Sequence, residues 1–73
     1  MEARGLTSIE LRTLYLFAIG HSSQRIAEKL GFHQSFVLDH LRVAVRKLGA
    51  ANRVHAVMIA TEMKLIRSGM RAD

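Results

Sequence analysis

The side chains best placed for chemistry are charged and polar residues at helical spacing in the segment 34–48. On a helical wheel of about 100° per residue, the outward side of this segment consists of Ser35, Leu38, Asp39, Arg42 and Arg46. The opposite side is an apolar stripe of Val37, Leu41, Ala44 and Leu48. A helix of this kind would place its apolar stripe on a core and present its arginines to a ligand. The guanidinium group suits guanine and phosphate, because it donates hydrogen bonds in pairs.

The distribution of charge also favours a polyanionic partner. The 73-residue chain has a formal net charge of +5, and seven basic residues face only two acidic ones from position 42 onward. Such an excess favours nucleic acid through the release of counterions. A solvated basic surface is the alternative that charge alone leaves open.

Other classes of function are disfavoured by what the sequence lacks. It has no cysteine, no nucleophile–base–acid set and no glycine-rich phosphate loop, so we expect neither an enzyme nor a cofactor. The four histidines, His21, His33, His40 and His55, include no pair at i, i+4 spacing, and we expect no metal site. No apolar run reaches signal-peptide or membrane-spanning length, so the expected location is the cytoplasm, without membrane contact.

The periodicity predicts four helices in one all-α domain, with an ordered core at about 6–67. They span about 8–19, 22–30, 34–48 and 53–66, with Thr7 or Ser8, Ser22 or Ser23, and Asn52 as N-caps. Glycines at 20, 31 and 49 should end the first three, and the tail after Arg67 should fray. The first helix should turn one apolar face inward, and the second should bury its apolar residues; these sets are Leu11, Leu14, Tyr15 and Ala18, and Ile26, Ala27 and Leu30. The bend 31–33 makes helices two and three a helix-turn-helix, a scaffold that presents its second helix to a nucleic-acid groove.

The predicted fourth helix has two apolar faces. One consists of Ala56, Ile59, Ala60 and Met63, and the other of Val54, Val57, Met58, Thr61 and Leu65. Two apolar faces need two surfaces to cover them. We therefore expect the first face to join the core and the second to form a homodimer with another copy of the chain.

Residues spread from Leu6 to Ile66 resemble one known family. They are Leu6-Thr7 with Glu10, Leu14, Ala18 and Gly20, Ile26-Ala27 with Leu30-Gly31, Val37 with His40, Arg46-Lys47-Leu48-Gly49, Asn52-Arg53, Ala56-Val57 and Ala60. In order and spacing the chain resembles the LuxR/FixJ-type, GerE-like DNA-binding domains of bacterial transcription regulators. The resemblance implies that the third helix enters the major groove of double-stranded DNA and that the fourth pairs two protomers.

The resemblance also assigns contacts position by position. It implies base contacts from Leu38, Asp39 and Arg42. It implies phosphate contacts from Ser22, Gln24, Arg25, Ser35, Phe36, Arg46, Lys47 and Arg53. Glu10 matches a family position and is expected to pair with Arg46 or Lys47.

The chain departs from the family pattern at four positions. Phe36 replaces a small hydroxyl residue, His33 a Ser-like cap, and Ile9 an arginine. Asp39 replaces an apolar or neutral residue. It could pair with Arg42 or Arg46, accept a hydrogen bond from a cytosine amino group, or disfavour binding to wrong sequences. Phe36 could pack against the first or second helix, or form an exposed patch for a partner.

Two functions of different classes follow. The first is sequence-specific binding of double-stranded DNA by a homodimer that regulates transcription. The alternative is a protein-interaction module that modulates a related regulator or RNA polymerase. A fragment similar to the promoter-binding end of a sigma factor fits the spacing less well. The chain could be a complete small protein or an excised C-terminal domain.

Overall fold

The computed structural model describes residues 5–66, which form four α-helices and no β-strand. The helices are α1 (Ser8–Ala18), α2 (Ser23–Leu30), α3 (Gln34–Lys47) and α4 (Arg53–Glu62). The prediction of an all-α, four-helix fold is confirmed. The first three helices lie within about one residue of their predicted bounds, and the fraying predicted after Arg67 lies outside the described residues.

Side-chain caps fix where three of these helices begin. Thr7 and Glu10 form a reciprocal capping box, in which each side chain accepts a hydrogen bond from the other residue's backbone N–H. Ser22 accepts from the N–H of Arg25, and Asn52 accepts from the N–H of His55. These bonds select Thr7 and Ser22 from the predicted pairs of caps. His33, at the start of α3, makes no capping bond with its side chain.

The core is built around α3, which packs against the other three helices. The predicted stripe of Val37, Leu41, Ala44 and Leu48 is completely or almost completely buried, as expected. Ala44 on α3 and Ala56 and Ala60 on α4 have no exposed surface, and their small side chains let the two helices approach closely. Burial of a large side chain such as Leu14 contributes about 1.5–3 kcal/mol.

The face that α1 turns to the core differs from the predicted one. Of Leu11, Leu14, Tyr15 and Ala18, only Leu14 is fully buried, and Ala18 is exposed. The core-facing side is rotated toward Glu10 and Thr13, which are both buried. These polar residues can be buried because each satisfies its hydrogen bonds. The Thr13 hydroxyl donates to the Ile9 carbonyl at 2.7 Å, and the Glu10 carboxylate accepts from the Thr7 N–H and from Lys47. In α2, Ile26 and Ala27 are buried as predicted, whereas Leu30 is half-buried.

The predicted extent of the fourth helix was wrong. α4 ends at Glu62, four residues before Ile66, because Lys64 adopts a left-handed backbone conformation with φ 61°. The N–H of Leu65 then donates to the carbonyl of Ala60, which closes the helix end. This turn buries Ile66 in the core and leaves Met63, which was predicted to face the core, 40% exposed. No glycine lies between Glu62 and Ile66, so no local pattern predicts this helix end.

Candidate nucleic-acid interface

The bend between α2 and α3 depends on the backbone of one glycine. Gly31 lies in the left-handed region with φ 74°, and both its N–H and that of Phe32 donate to the Ala27 carbonyl. Residues with a Cβ rarely adopt this conformation, so Gly31 ends α2 at low cost. The chain then needs only Phe32 and His33 before α3 begins at Gln34. The helix-turn-helix outline is therefore confirmed.

A side-chain hydrogen bond joins the first turns of these two helices. Gln34 Nε2 donates to Ser23 Oγ at 2.8 Å, across eleven positions of sequence. The bond holds the N-terminal ends of α2 and α3 next to each other on one surface. The N–H groups of a helix's first turn are natural ligands for phosphate. This contact was not predicted, because nothing in the local sequence pattern indicates it.

The outward face of α3 is exposed along most of its length. Ser35, Asp39, Arg42 and Arg46 are all exposed, and Leu38 is half-buried. Leu38 lines a shallow groove with Arg42, between α3 and the start of α4. The structure thus brings the three candidate base-contacting residues, Leu38, Asp39 and Arg42, onto one surface.

Arg42 is paired with Asp39 on this face. Arg42 Nη1 lies 2.8 Å from Asp39 Oδ1, with about two thirds of each side chain exposed. Asp39 therefore pairs with Arg42 and not with Arg46, which is one of the interpretations that the sequence left open. Arg46, one turn further along α3, makes no ion pair with any residue between 5 and 66.

The remaining candidate phosphate contacts fall into two groups. Ser22, Gln24 and Arg25 are exposed at the start of α2, beside the first turn of α3. Arg53 is also exposed, and its guanidinium carbon lies 5.5 Å from the centre of the Phe17 ring of α1. This cation–π contact holds the Arg53 side chain against the body of the domain.

Lys47 differs from the other basic candidates because its ammonium group is already paired with a carboxylate of the same domain. Its Nζ lies 2.8 Å from Glu10 Oε1 and donates to the Gly5 carbonyl at 2.9 Å. The predicted partner of Glu10 is therefore Lys47 and not Arg46. Burial would raise the pKa of the Glu10 carboxyl. The hydrogen bonds from Lys47 and from the Thr7 backbone, with the charges of Lys47 and His40, outweigh burial and lower this pKa below its ordinary value.

Phe36 belongs to an aromatic cluster with Phe32 and His40 at the start of α3. Its ring centre lies 4.5 Å from that of Phe32 and 4.1 Å from that of His40. His40 Nδ1 is also 2.8 Å from the Phe36 carbonyl oxygen. Phe36 thus packs on the bend and on its own helix, and it remains 38% exposed. This position therefore presents an aromatic ring where the resemblance implies a small hydroxyl side chain.

The second apolar face of α4 is exposed only in part. Val54 and Met58 are more than 60% exposed, whereas Val57 and Thr61 are half-buried. Leu65 lies beyond the end of α4 and packs partly against the core, so it does not continue this face as a helical position would. Val54 and Met58 line an open groove that also includes Phe17, Ser22 and Ser23.

The described residues meet the requirements of neither a metal site nor a membrane-spanning helix. Within residues 5–66, no three histidine or acidic side chains lie close enough together to hold a metal ion. Of the histidines, His55 Nδ1 accepts a hydrogen bond from the Ala51 N–H. None of the four described helices has the length and apolar character needed to cross a membrane.

Comparison with known proteins extends the structural result. The family model of bacterial regulatory proteins of the luxR family, GerE, matches residues 4–60. The chain belongs to the LuxR family. The matched range begins before α1 and ends within α4, so this LuxR-family domain includes the whole helix-turn-helix.

Individual relatives of this LuxR-family chain are transcriptional activators by name. It is 41% identical over 61 residues to the transcriptional activator protein BjaR1 of Bradyrhizobium diazoefficiens, covering 84% of this chain and 25% of that protein. It is 40% identical over 58 residues to the transcriptional activator protein EchR of Dickeya chrysanthemi, covering 80% and 23%. The HTH-type transcriptional activator RamA of Corynebacterium glutamicum is 40% identical over 55 residues, covering 75% and 20%.

The match therefore concerns one part of these relatives. The chain spans about a quarter or less of the length of each curated relative. No solved structure is a significant match to it.

Proposed function

We propose that this LuxR-family domain binds double-stranded DNA in a sequence-specific manner, as a homodimer in the cytoplasm, and thereby regulates transcription. The observation that supports the proposal most strongly is the exposed face of α3, with Arg42 and Arg46 one turn apart and the first turn of α2 beside it. An exposed helix of this shape fits the major groove, and adjacent helix N-termini suit phosphates. Binding itself requires no cofactor.

In this proposal affinity and specificity come from different side chains. Arg25, Arg46 and Arg53 neutralise phosphates, so affinity falls steeply with salt. Arg42, Leu38 and Asp39 face the base edges, where one well-made contact is worth about 1–3 kcal/mol of discrimination. Lys47 contributes long-range attraction more than a direct phosphate contact, because Glu10 and Gly5 already bind its ammonium group.

The test starts with selection of bound duplexes from a random pool. Binding to the selected duplex and to a random duplex of equal length is then measured by fluorescence anisotropy in a salt series. Arg42→Ala should weaken binding to the selected duplex by about fivefold or more and leave the random duplex nearly unchanged. Arg12→Ala, which removes an exposed arginine of α1, is the matched control and should affect both duplexes equally. Failure to enrich any sequence would refute specific recognition.

A second candidate function is supported by the aromatic cluster of Phe32, Phe36 and His40. An exposed Phe36 where the family pattern has a small hydroxyl residue suits a protein partner, such as a related regulator or RNA polymerase. Phe36→Ser separates the two functions. If DNA is the ligand, this variant retains or improves DNA binding. If a protein is the ligand, it loses partner binding in a pull-down with the purified regulator or polymerase.

A further inference from the structure

The stability of the folded domain does not explain why α3 carries an ion pair between Asp39 and Arg42. Both side chains are about two thirds exposed, and the two residues are three positions apart on α3. An exposed ion pair of this kind contributes little to the folded state, because water screens it well. Asp39 is also the one acidic residue of α3, on a face otherwise suited to polyanions. Its negative charge opposes the binding of any duplex.

The geometry leaves Arg42 able to bind bases while it stays paired. A guanidinium group has five N–H donors, and Asp39 Oδ1 accepts from Nη1 alone. Guanine needs two donors, one for O6 and one for N7. Arg42 can therefore contact a guanine edge without breaking the ion pair. A phosphate contact is different, because the phosphate and the Asp39 carboxylate compete for the same charge and repel each other.

We propose that Asp39 is a specificity-determining residue that acts through Arg42. It holds the guanidinium away from phosphates and directs its remaining donors to guanine. Arg42 then contributes little to the affinity for random DNA. It contributes fully to the affinity for a site with guanine at the right position. Arg46, which has no such partner among the described residues, serves both kinds of duplex alike. This inference rests on the proposed function and names the base that the site requires.

The first experiment compares Asp39→Asn with the unmutated chain on the selected and random duplexes. The ratio of the two affinities should fall by about fivefold or more, with tighter binding to the random duplex. In an Arg42→Gln background the same change should leave the ratio unaltered, as in a double-mutant cycle. Glu62→Gln removes an equal charge at the end of α4, and it should strengthen binding to both duplexes by the same factor.

The second experiment tests the base itself. Replacing the guanines of the selected duplex with 7-deazaguanine removes the N7 acceptor, and this should weaken binding by the unmutated chain but not by Arg42→Gln. If Asp39→Asn leaves the affinity ratio unchanged, or lowers it equally in the Arg42→Gln background, the inference is overturned while specific DNA binding stands. If the unmutated chain prefers no duplex, the proposed function fails, and this inference fails with it.

Discussion

The ammonium group of Lys47 lies 2.8 Å from the carboxylate of Glu10, and this ion pair joins the last turn of α3 to the first turn of α1. Glu10 is buried, and it also completes the capping box with Thr7. One carboxylate therefore fixes both the start of α1 and the position of α1 on α3. Because α3 carries the candidate DNA contacts, this pair helps to set how that helix is presented.

Removing the charge of Glu10 should destabilise the domain. In Glu10→Gln the Lys47 ammonium loses its ion-pair partner, and we expect a loss of about 2 kcal/mol, less than for a fully buried pair because Lys47 is partly exposed. For a domain of this size that is a fall in melting temperature of about 8–16 °C. Thermal denaturation followed by circular dichroism measures it. The control Glu28→Gln, at an exposed position of α2, should leave the melting temperature nearly unchanged.

The same pair predicts a dependence of stability on pH. The pKa of Glu10 is lower in the folded state than its ordinary value, so ionised Glu10 stabilises the fold. This contribution is complete above the ordinary pKa of glutamate and is lost as the pH falls through the lowered folded-state pKa. Urea denaturation at a series of acidic pH values should show it. The difference in unfolding free energy between the unmutated chain and Glu10→Gln should shrink with acidification, and a constant difference would contradict the assignment.

The left-handed residue after α4 offers a stabilising substitution. Lys64 has φ 61°, a conformation that costs most residues with a Cβ about 1–2 kcal/mol. Lys64→Gly relieves this strain but gives the unfolded chain more freedom, so we expect a net gain of about 0.5–1 kcal/mol. Lys64→Ala removes the same side chain and keeps the strain. Urea denaturation should rank the glycine variant above the alanine variant, and the reverse order would contradict the assigned turn.

The missing side-chain cap at the start of α3 offers a second stabilising substitution. His33 has the extended backbone of an N-cap, with φ −73° and ψ 150°, but its side chain makes no capping bond. Serine can accept a hydrogen bond from the Ser35 or Phe36 N–H, and the Phe36 N–H now reaches only the His33 carbonyl, at 3.1 Å. His33→Ser should therefore stabilise the domain by about 1 kcal/mol. His33→Ala provides the comparison, since it also removes the imidazole but adds no acceptor. Equal midpoints of the two variants in urea would show that the hydroxyl makes no cap.

The proposed dimer can be tested separately from folding. Met58 is 61% exposed on α4, so Met58→Glu should leave the monomer folded and lower its self-association in analytical ultracentrifugation. Met63→Glu is the control, because Met63 is exposed beyond the end of α4 and outside the proposed face. Leu65→Glu should instead destabilise the monomer, since Leu65 packs partly on the core. Sedimentation of the unmutated chain as a monomer, with and without DNA, would exclude the homodimer.

Local patterns were sufficient to predict much of this domain. Ser22 and Asn52 act as caps, Gly31 makes the bend, and the stripe from Val37 to Leu48 is buried, because caps, turns and helical periodicity depend on residues within a few positions of each other. The alternation of apolar and charged positions on α3 likewise placed Arg42 and Arg46 on the outside. The proposed contacts of Arg42 and Arg46 with DNA rest on this exposure.

Tertiary structure decided what depends on distant residues. Only packing selects Lys47 over Arg46 as the partner of Glu10, brings Gln34 to Ser23, and places Arg53 on Phe17. The early end of α4 has the same origin: burial of Ile66 offsets the strain at Lys64, where propensity alone would continue the helix. The sequence determined the caps, the start of each helix and the two faces of α3, because those depend on neighbouring residues. The core-facing side of α1, the end of α4 and the partner of each charge depend instead on how the finished helices pack.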